Sequence, residues 1–378
     1  MDNDISATYK VNLYIDGVLI GDCRKLAQGL KWVRRRTKVG ADEIDFTLND
    51  VLFNQWCKER GTNINNMLRP LALECRIVRN GIELVGGFLA TMPAYSPNGT
   101  SANLALKFDG YLNLLNGVYI RPVGTVTGQM QALVQRFITE ADTRASNNGK
   151  AYGFTAGHLD LLASVEHTFD NYKSTKDWIC DRCDNITGAG QFDVYFHADK
   201  TYDVYASNNF GDVITDWVAN YPTKLNGTSA TSISAQEVSG FASSIIGIGS
   251  GEISSNASEN TAIISELVYS PAVEEYGYYE SILQNSSISK QTSLDDSVAT
   301  ELANTSTIIW KPEISLNGRM VSPKPSGLNK IWIGDTITIN NTEDLTGMTN
   351  GRFRVNELEV NISANGAENI KPILERAT

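Results

Sequence analysis

An α+β fold that is mainly β is predicted by three features of the sequence. Short runs alternate apolar and polar residues with the period of two that a half-buried strand requires, most plainly Glu43-Ile-Asp-Phe-Thr-Leu48. Asp16-Gly17 and Asn80-Gly81 stand between such runs, and these dipeptides suit the type I′ hairpin turn, whose two central residues both take positive φ. Helical stripes are fewer. The clearest, Met130, Leu133, Val134, Phe137, Ile138 and Ala141, advances by steps of three and one along one side of a helix.

In chain order, Tyr9–Ile15 and Val18–Ile20 form the first hairpin, and Glu43–Leu48 is a strand with Ile44, Phe46 and Leu48 on one face. Asn49 and Asp50 cap a short helix through Trp56 that stops at Gly61. Leu71–Val78 and Ile82–Leu89 flank Asn80-Gly81, and a turn at Pro97-Asn98-Gly99 leads to a strand at Leu104–Phe108. Thr127 is the expected cap of the helix bearing the Met130–Ala141 stripe, and the polar stretch Thr139–Gly149 reads as a loop. A second helix, capped by Ser174 or Thr175, runs from Lys176 to about Asn185 and ends at Gly188-Ala-Gly190. A hairpin follows, Phe192–Phe196 and Tyr202–Tyr205 around Asp199-Lys200. Phe241–Gly249 reads as a buried strand, Gly249–Thr261 as a flexible loop, and Tyr276–Tyr279 as a solvated turn with buried rings. Ser293 is the expected cap of a helix with Leu294, Val298 and Leu302 on one side and Asp296 at the capping-box position. From Ile308 strands resume: Ile331–Ile333, Thr336–Ile339, Arg352–Val355, Leu358–Ile362 and Ile370–Leu374.

One pattern occurs twice. Strand Leu71–Val78, Gly86-Gly87, strand Phe88–Met92, Asn98-Gly99 and strand Leu104–Phe108 parallel strand Ile331–Ile339, Gly351, strand Phe353–Ile362, Asn365-Gly366 and strand Ile370–Leu374. The division this suggests is a first β domain at 1–120, an α+β insertion at 121–231, a discontinuous second β domain at 232–250 plus 308–378, and a loop-and-helix insertion at 251–307.

Composition narrows the function. Net charge is −11, so the chain lacks the basic surface that phosphate neutralisation demands of a nucleic-acid coat. The three histidines, His158, His167 and His197, show no H-E-x-x-H spacing, and G-x-S-x-G, Walker and Rossmann signatures are absent from the sequence. The five cysteines are an odd number in a large chain and do not read as a disulfide framework. With no cationic-then-apolar leader at Met1–Tyr9, synthesis and folding in a reducing cytoplasm are expected, and no apolar run nears the ~20 residues of a membrane anchor. Sequons such as Asn185-Ile-Thr187 and Asn256-Ala-Ser258 then reflect composition rather than glycosylation.

Three constellations could carry chemistry. Cys180-Asp-Arg-Cys183 has no second pair to complete tetrahedral zinc, so packing of a helix face is the expectation. Glu274, Glu275 and Glu280 beside Tyr276, Tyr278 and Tyr279 resemble sugar-stacking rings with acids, yet neighbours in sequence do not encode two carboxylates on opposite sides of a sugar. Arg34, Arg35, Arg36 and Lys38 are the sharpest cationic cluster and the one candidate partner contact, on a solvated or subunit-contacting strand. No catalytic residue, cofactor or metal is expected.

The layout resembles the tail hub proteins of tailed phages, the baseplate-hub or tail-tip-base family. The matching pieces are Asp45-Phe-Thr-Leu-Asn-Asp50 with its short helix and the Asn80-Gly81 hairpin, then Trp178–Asp184 leading to Phe192–Tyr195, then Phe241–Gly249. Val273-Glu-Glu-Tyr-Gly277, the helix at Ser293, Ile333-Gly-Asp-Thr-Ile337 and Gly351-Arg-Phe-Arg-Val355 complete them. The resemblance implies two tail-tube-like β-barrel domains with α+β insertions. It implies a homotrimer whose ring adapts a sixfold tube to a threefold tip, with distal tail or tail tube proteins and tip or fibre proteins as partners. A tape-measure protein or DNA would pass through the lumen. The location implied is the virion tail. Many tail-tip proteins continue into a fibre or lysin domain, and this sequence stops at Thr378, so wall degradation and receptor binding are not expected of it. Rival readings are a tail-associated cell-wall hydrolase, which needs a converged acid/base set, and a carbohydrate-binding virion protein, which needs an exposed aromatic strip.

Overall fold

The computed structural model describes residues 7–98, 101–169, 172–185, 191–221, 228–237, 240–252, 261–286, 288–306, 310–317, 331–342, 349–364 and 366–377. Gly99, Ile186 to Gly190, the Asn256-Ala-Ser258 sequon, Ile308 and Asn365, all invoked above, lie outside them. The chain divides into two compact units, Met1–Ser234 with Glu313–Thr378, and Ala235–Pro312.

The larger unit is organised by one mixed sheet. Its first six long strands run in the order Tyr9–Ile15, Leu73–Arg79, Ile82–Leu89, Ser101–Gly110, Glu43–Asn49 and Gln28–Arg35. Val18–Asp22 extends this run beyond Tyr9–Ile15, and Ala94–Asn98 pairs beside Ser101–Gly110. Gln28–Arg35 then joins Gly351–Ile362, from which Thr336–Asn341, Val213–Tyr221, Thr228–Glu237, Trp310–Asn317 and Glu368–Arg376 follow in turn. Glu368–Arg376 pairs back onto Gly351–Ile362, so this second set of six strands closes on itself.

Local chemistry explains the first set. Asp16 and Gly17 sit at φ 49° and 80°, Asn80 and Gly81 at 50° and 85°, as the two hairpin turns require. Glu43–Asn49 buries Ile44, Phe46 and Leu48 and leaves the residues between them half-exposed. The Asn49 carboxamide accepts from the Leu52 amide at 3.1 Å and caps the helix Asp50–Glu59, whose Phe53, Trp56 and Cys57 complete the core.

The Gly351–Ile362 strand serves both sets. Along one edge it pairs with Glu368–Arg376 from Phe353 to Ile362. Its other edge is shared: Gly351 to Arg354 pairs with Thr336–Asn341, and Glu357 to Ile362 pairs with Gln28–Arg35. The changeover falls at Asn356, where the register with Glu368–Arg376 also shifts, the mark of a β-bulge. The first set is also tied to Glu368, the start of that neighbouring strand, by Tyr9 and by the bidentate Arg79, at 2.6 and 2.9 Å.

Gly334, at φ 87°, and Gly211, at φ 92°, bring two backbones together: a Cβ on Gly211 would meet the Gly334 carbonyl at 2.0 Å. Asp335 fastens this approach, accepting from the Trp332 and Asp212 amides, both at 2.8 Å. That gives Ile333-Gly-Asp-Thr-Ile337 a mechanical meaning.

Helices Met130–Asn147 and Thr175–Asn185 form a second core in the same unit, where Phe137 meets Phe169 and Trp178 edge-on at 5.1 and 5.0 Å. A three-stranded sheet, Thr155–Leu159, Thr201–Ala206 and Phe192–Phe196, adds to it. Ser174 caps the second helix through the Asp177 amide at 3.3 Å. In the smaller unit, Ser244–Ile248 is the central strand between Ile264–Val268 and Glu280–Gln284, with Gln291–Thr305 packed on one face.

Several expectations are corrected. Thr127 does not cap a helix; it lies in the strand Gly124–Gln129, opposite Glu166. Thr139–Asn147 continues the helix, because these last turns are largely solvated, need only Ala141 on the buried side and are supported by the Arg136–Glu140 pair. Ser293 lies inside its helix, which starts at Gln291 after Lys290 with no side-chain cap. Phe241–Gly249 was expected in the second β domain, and its strand instead centres the smaller unit's sheet, while Val213–Tyr221, expected in the insertion, enters the large sheet. Gly86-Gly87 and Gly351 are not equivalent: the first pair lies inside a strand, facing Tyr111 and Asp109, whereas Gly351 opens its strand with nothing near its missing side chain. Ala94–Asn98 pairs antiparallel with Ser101–Gly110, and on either side of Gly366 Gly351–Ile362 pairs antiparallel with Glu368–Arg376, so both of these expected turns stand between hairpin strands.

Candidate functional site

Arg34, Arg35, Arg36 and Lys38 lie where three pieces of the larger unit meet: the end of Gln28–Arg35, the bulge at Asn356, and the hairpin Phe192–Phe196 with Thr201–Ala206. Arg36 holds the Asp193 carboxylate through two nitrogens, at 3.2 and 2.7 Å, and reaches the Asn356 carboxamide oxygen at 3.0 Å and the Ser207 hydroxyl at 3.0 Å. Its amide donates to the Asn356 carbonyl at 2.9 Å. Arg35 bonds Glu357, opposite it on Gly351–Ile362, and Glu43, which stands opposite Val33 on the other adjoining strand. Arg34 pairs with Asp42, donates to the Phe196 carbonyl at 2.9 Å and lies 4.4 Å over the Tyr195 ring. Lys38 pairs with Glu375, which also accepts from Asn356 at 2.7 Å.

The cluster is therefore not a solvated cationic face. Arg34 and Arg36 are buried, and each of the four cations meets a carboxylate of the same chain. Burial forces the pairing, since a guanidinium taken from water without a partner would cost several kcal/mol. Thr37 completes the clamp, its hydroxyl donating to the Val194 carbonyl and accepting from the Val194 amide. Arg354 stands next to the cluster and donates to the carbonyls of Gly334, Ser207 and Phe210. Burial, and then Arg36, lower its pKa to about 10, so it stays charged at neutral pH.

Sequence reasoning missed Asp193, Asn356 and Arg354. Asp193 left a signal: a carboxylate inside the aromatic run Phe192-Asp-Val-Tyr-Phe196 must find a cation once that run is buried.

The other candidates separate. Cys180 and Cys183 share the helix Thr175–Asn185; Cys183 is buried, which pushes its thiol well above the usual range and makes it a poor nucleophile. Among the described residues no group of three or more His, Cys, Asp or Glu could hold a metal ion. His158 bonds Asp160 and His197 bonds Asp203, with no nucleophile in either pair. The tyrosine rings are not buried as expected: Tyr276, Tyr278 and Tyr279 are 36%, 53% and 58% exposed. Tyr276 and Tyr279 meet Phe241 edge-on, at 75° and 74°, so they cluster about one ring rather than forming a flat platform. At the end of the large sheet, the strand Val18–Asp22 leaves Val18 64% and Leu19 53% exposed.

No protein-family description matches the sequence, and no curated protein matches it. Solved structures do match, over nearly the whole chain. The tail protein from Neisseria meningitidis MC58 superposes with a TM-score of 0.60 at 9% identity, covering 97% of this chain and 96% of that one. The 43 kDa tail protein of prophage MuSo2 from Shewanella oneidensis gives 0.62 at 8% identity, covering 97% and 98%. The prophage tail protein gp18 from Listeria monocytogenes EGD-e gives 0.52 at 11% identity, covering 98% and 95%. The chain has the fold of these phage tail proteins. The match takes in the closed six-strand set, the adjoining meander and the insertions together, as the α+β, mainly β reading anticipated.

Proposed function

We propose that this protein is a structural hub at the distal end of a phage tail tube, where three copies close into a ring. The observation that carries this is the doubled sheet: each chain holds two groups of strands joined through Gly351–Ile362, so three chains present six groups to a sixfold tube and three chains to a threefold tip. The whole-length likeness to phage tail proteins supports it. The two groups act as tail-tube-like barrels, and the remaining segments as insertions on them.

The internally paired arginine junction suits a part that must keep one shape within an assembly. It fixes the second group, the first meander and the hairpin at Phe192–Phe196 in one arrangement and offers nothing to a substrate. The exposed Val18 and Leu19 on an open sheet edge suit contact with a neighbouring copy or ring. Partners on this reading are distal tail or tube proteins on one side and tip or fibre proteins on the other. A net charge of −11 lets DNA or a tape-measure protein pass without a phosphate-binding wall. The role is structural and not enzymatic, and the protein, made in the host cytoplasm, resides in the virion tail.

The test is location. Peptide mass spectrometry should find the chain in purified particles, and a gold-labelled antibody should bind only at the distal end of the tube. Label distributed along the tube or on the capsid would overturn the proposal.

A further inference from the structure

Among the described residues, one face of the smaller unit's sheet is largely exposed, with only Ser244 at its edge buried, and its chemistry is specific. The helix Gln291–Thr305 covers the opposite face: Leu294, Val298 and Leu302 are buried with Ile245, and the Ser265 hydroxyl donates to Asp295 at 2.6 Å. A Cβ on Gly247 would meet Val298 at 2.3 Å, so that residue also faces the helix. These contacts fix the alternation, and the residues between them point away from the helix. Strand register then sets Ile246 beside Glu266 and Ile282, Ile248 beside Ile264, and Val268 and Glu280 on either side of Ser244.

The outer face thus carries five aliphatic side chains with Ser244, Gln284 and two carboxylates among them, and Glu280 accepts from the Tyr278 hydroxyl at 2.7 Å. Ile282 is 65% exposed, and Ile264 and Val268 are each 42% exposed. A branched apolar cluster of this kind on a sheet marks a contact surface rather than a solvated one. The charge around it is one-sided. Ala235–Pro312 holds ten carboxylates against Lys290 and Lys311, which is −8 of the chain's −11. Whatever excludes water from the isoleucines must therefore bring positive charge to Glu266 and Glu280, because burying either carboxylate unpaired costs several kcal/mol. The same face of a second copy is ruled out as occupant. It would set the carboxylates against their own equivalents, and a threefold ring contains no twofold axis to pair a face with itself.

We infer that this face is the docking surface for a different protein of the same particle, one that presents lysine side chains among aliphatic ones. The inference rests on the hub reading in seeking the partner within the particle and in taking the ring as threefold.

Carbodiimide coupling of intact particles, read by peptide mass spectrometry, tests it. The expected product joins Glu266 or Glu280 to a lysine of another tail protein. Ile282→Ser should lower its yield at least tenfold while leaving the unfolding of the isolated protein unchanged. Coupling confined to copies of this chain would overturn the inference. So would labelling of both carboxylates by glycine ethyl ester as complete in particles as in the isolated protein, because the face would then be open. Protection from that label without a lysine crosslink would overturn the cationic partner. Absence of the chain from the particles would instead overturn the hub reading.

Discussion

Arg36 and Asp193 are 157 residues apart in the chain, and the structure joins them by two parallel hydrogen bonds with side chains that are 5% and 1% exposed. Removing one member of such a pair leaves the other charged and buried. Asp193→Ala should cost about 3–5 kcal/mol in denaturant unfolding, and the double variant Arg36→Met/Asp193→Leu should recover most of that. Equal losses in the single and double variants would show that the aspartate acts through packing alone.

His167 gives the larger unit a pH dependence. It is half-buried beside Arg182, Phe169 and Trp178. Burial, then the Arg182 and Lys173 charges, hold its pKa down at about 4. The unfolded chain takes up this proton near pH 6.5 and the folded chain does not, so stability is complete above about pH 6.5 and falls as pH drops toward 4. Comparing unfolding at pH 7 and pH 5 should show a smaller acid loss in His167→Gln than in the unaltered protein. An identical loss in both would assign the acid sensitivity to other groups.

Gly247 sets how closely Gln291–Thr305 lies on its sheet. Gly247→Ala forces a methyl into Val298 and should cost about 1–3 kcal/mol. Amide hydrogen exchange in Gln291–Thr305 should then quicken about fivefold or more, with the larger unit's protected amides unchanged. Adding Val298→Ala should restore part of the protection. If the glycine variant exchanges at the original rate, the helix has room to move and the close seat is not needed.

Much of this architecture could be read from the sequence because its signals are local. Asp16-Gly17 and Asn80-Gly81 demand positive φ whatever surrounds them, and Ile44, Phe46 and Leu48 need only their own alternation to declare a buried face. Leu294, Val298 and Leu302 likewise announce a stripe. What stayed hidden depends on distant partners. Val213–Tyr221 pairs in parallel with Thr336–Asn341, a register no turn residue encodes. The arginine cluster was visible as charge, but Asp193, Asn356 and Glu357 lie 157 to 322 positions away from the arginines that bond them, and charge alone does not say whether a cation faces water or a buried acid. The helix that continues through Thr139–Asn147 was hidden because its solvated face carries no apolar period.

The central claim is that three of these chains bridge a sixfold tube and a threefold tip, and electron cryo-microscopy of the intact tail end tests it most directly. The account predicts three copies around the tail axis, each placing its two groups of strands against two neighbouring tube subunits. Six copies in the ring, or a single copy on the axis, would contradict it.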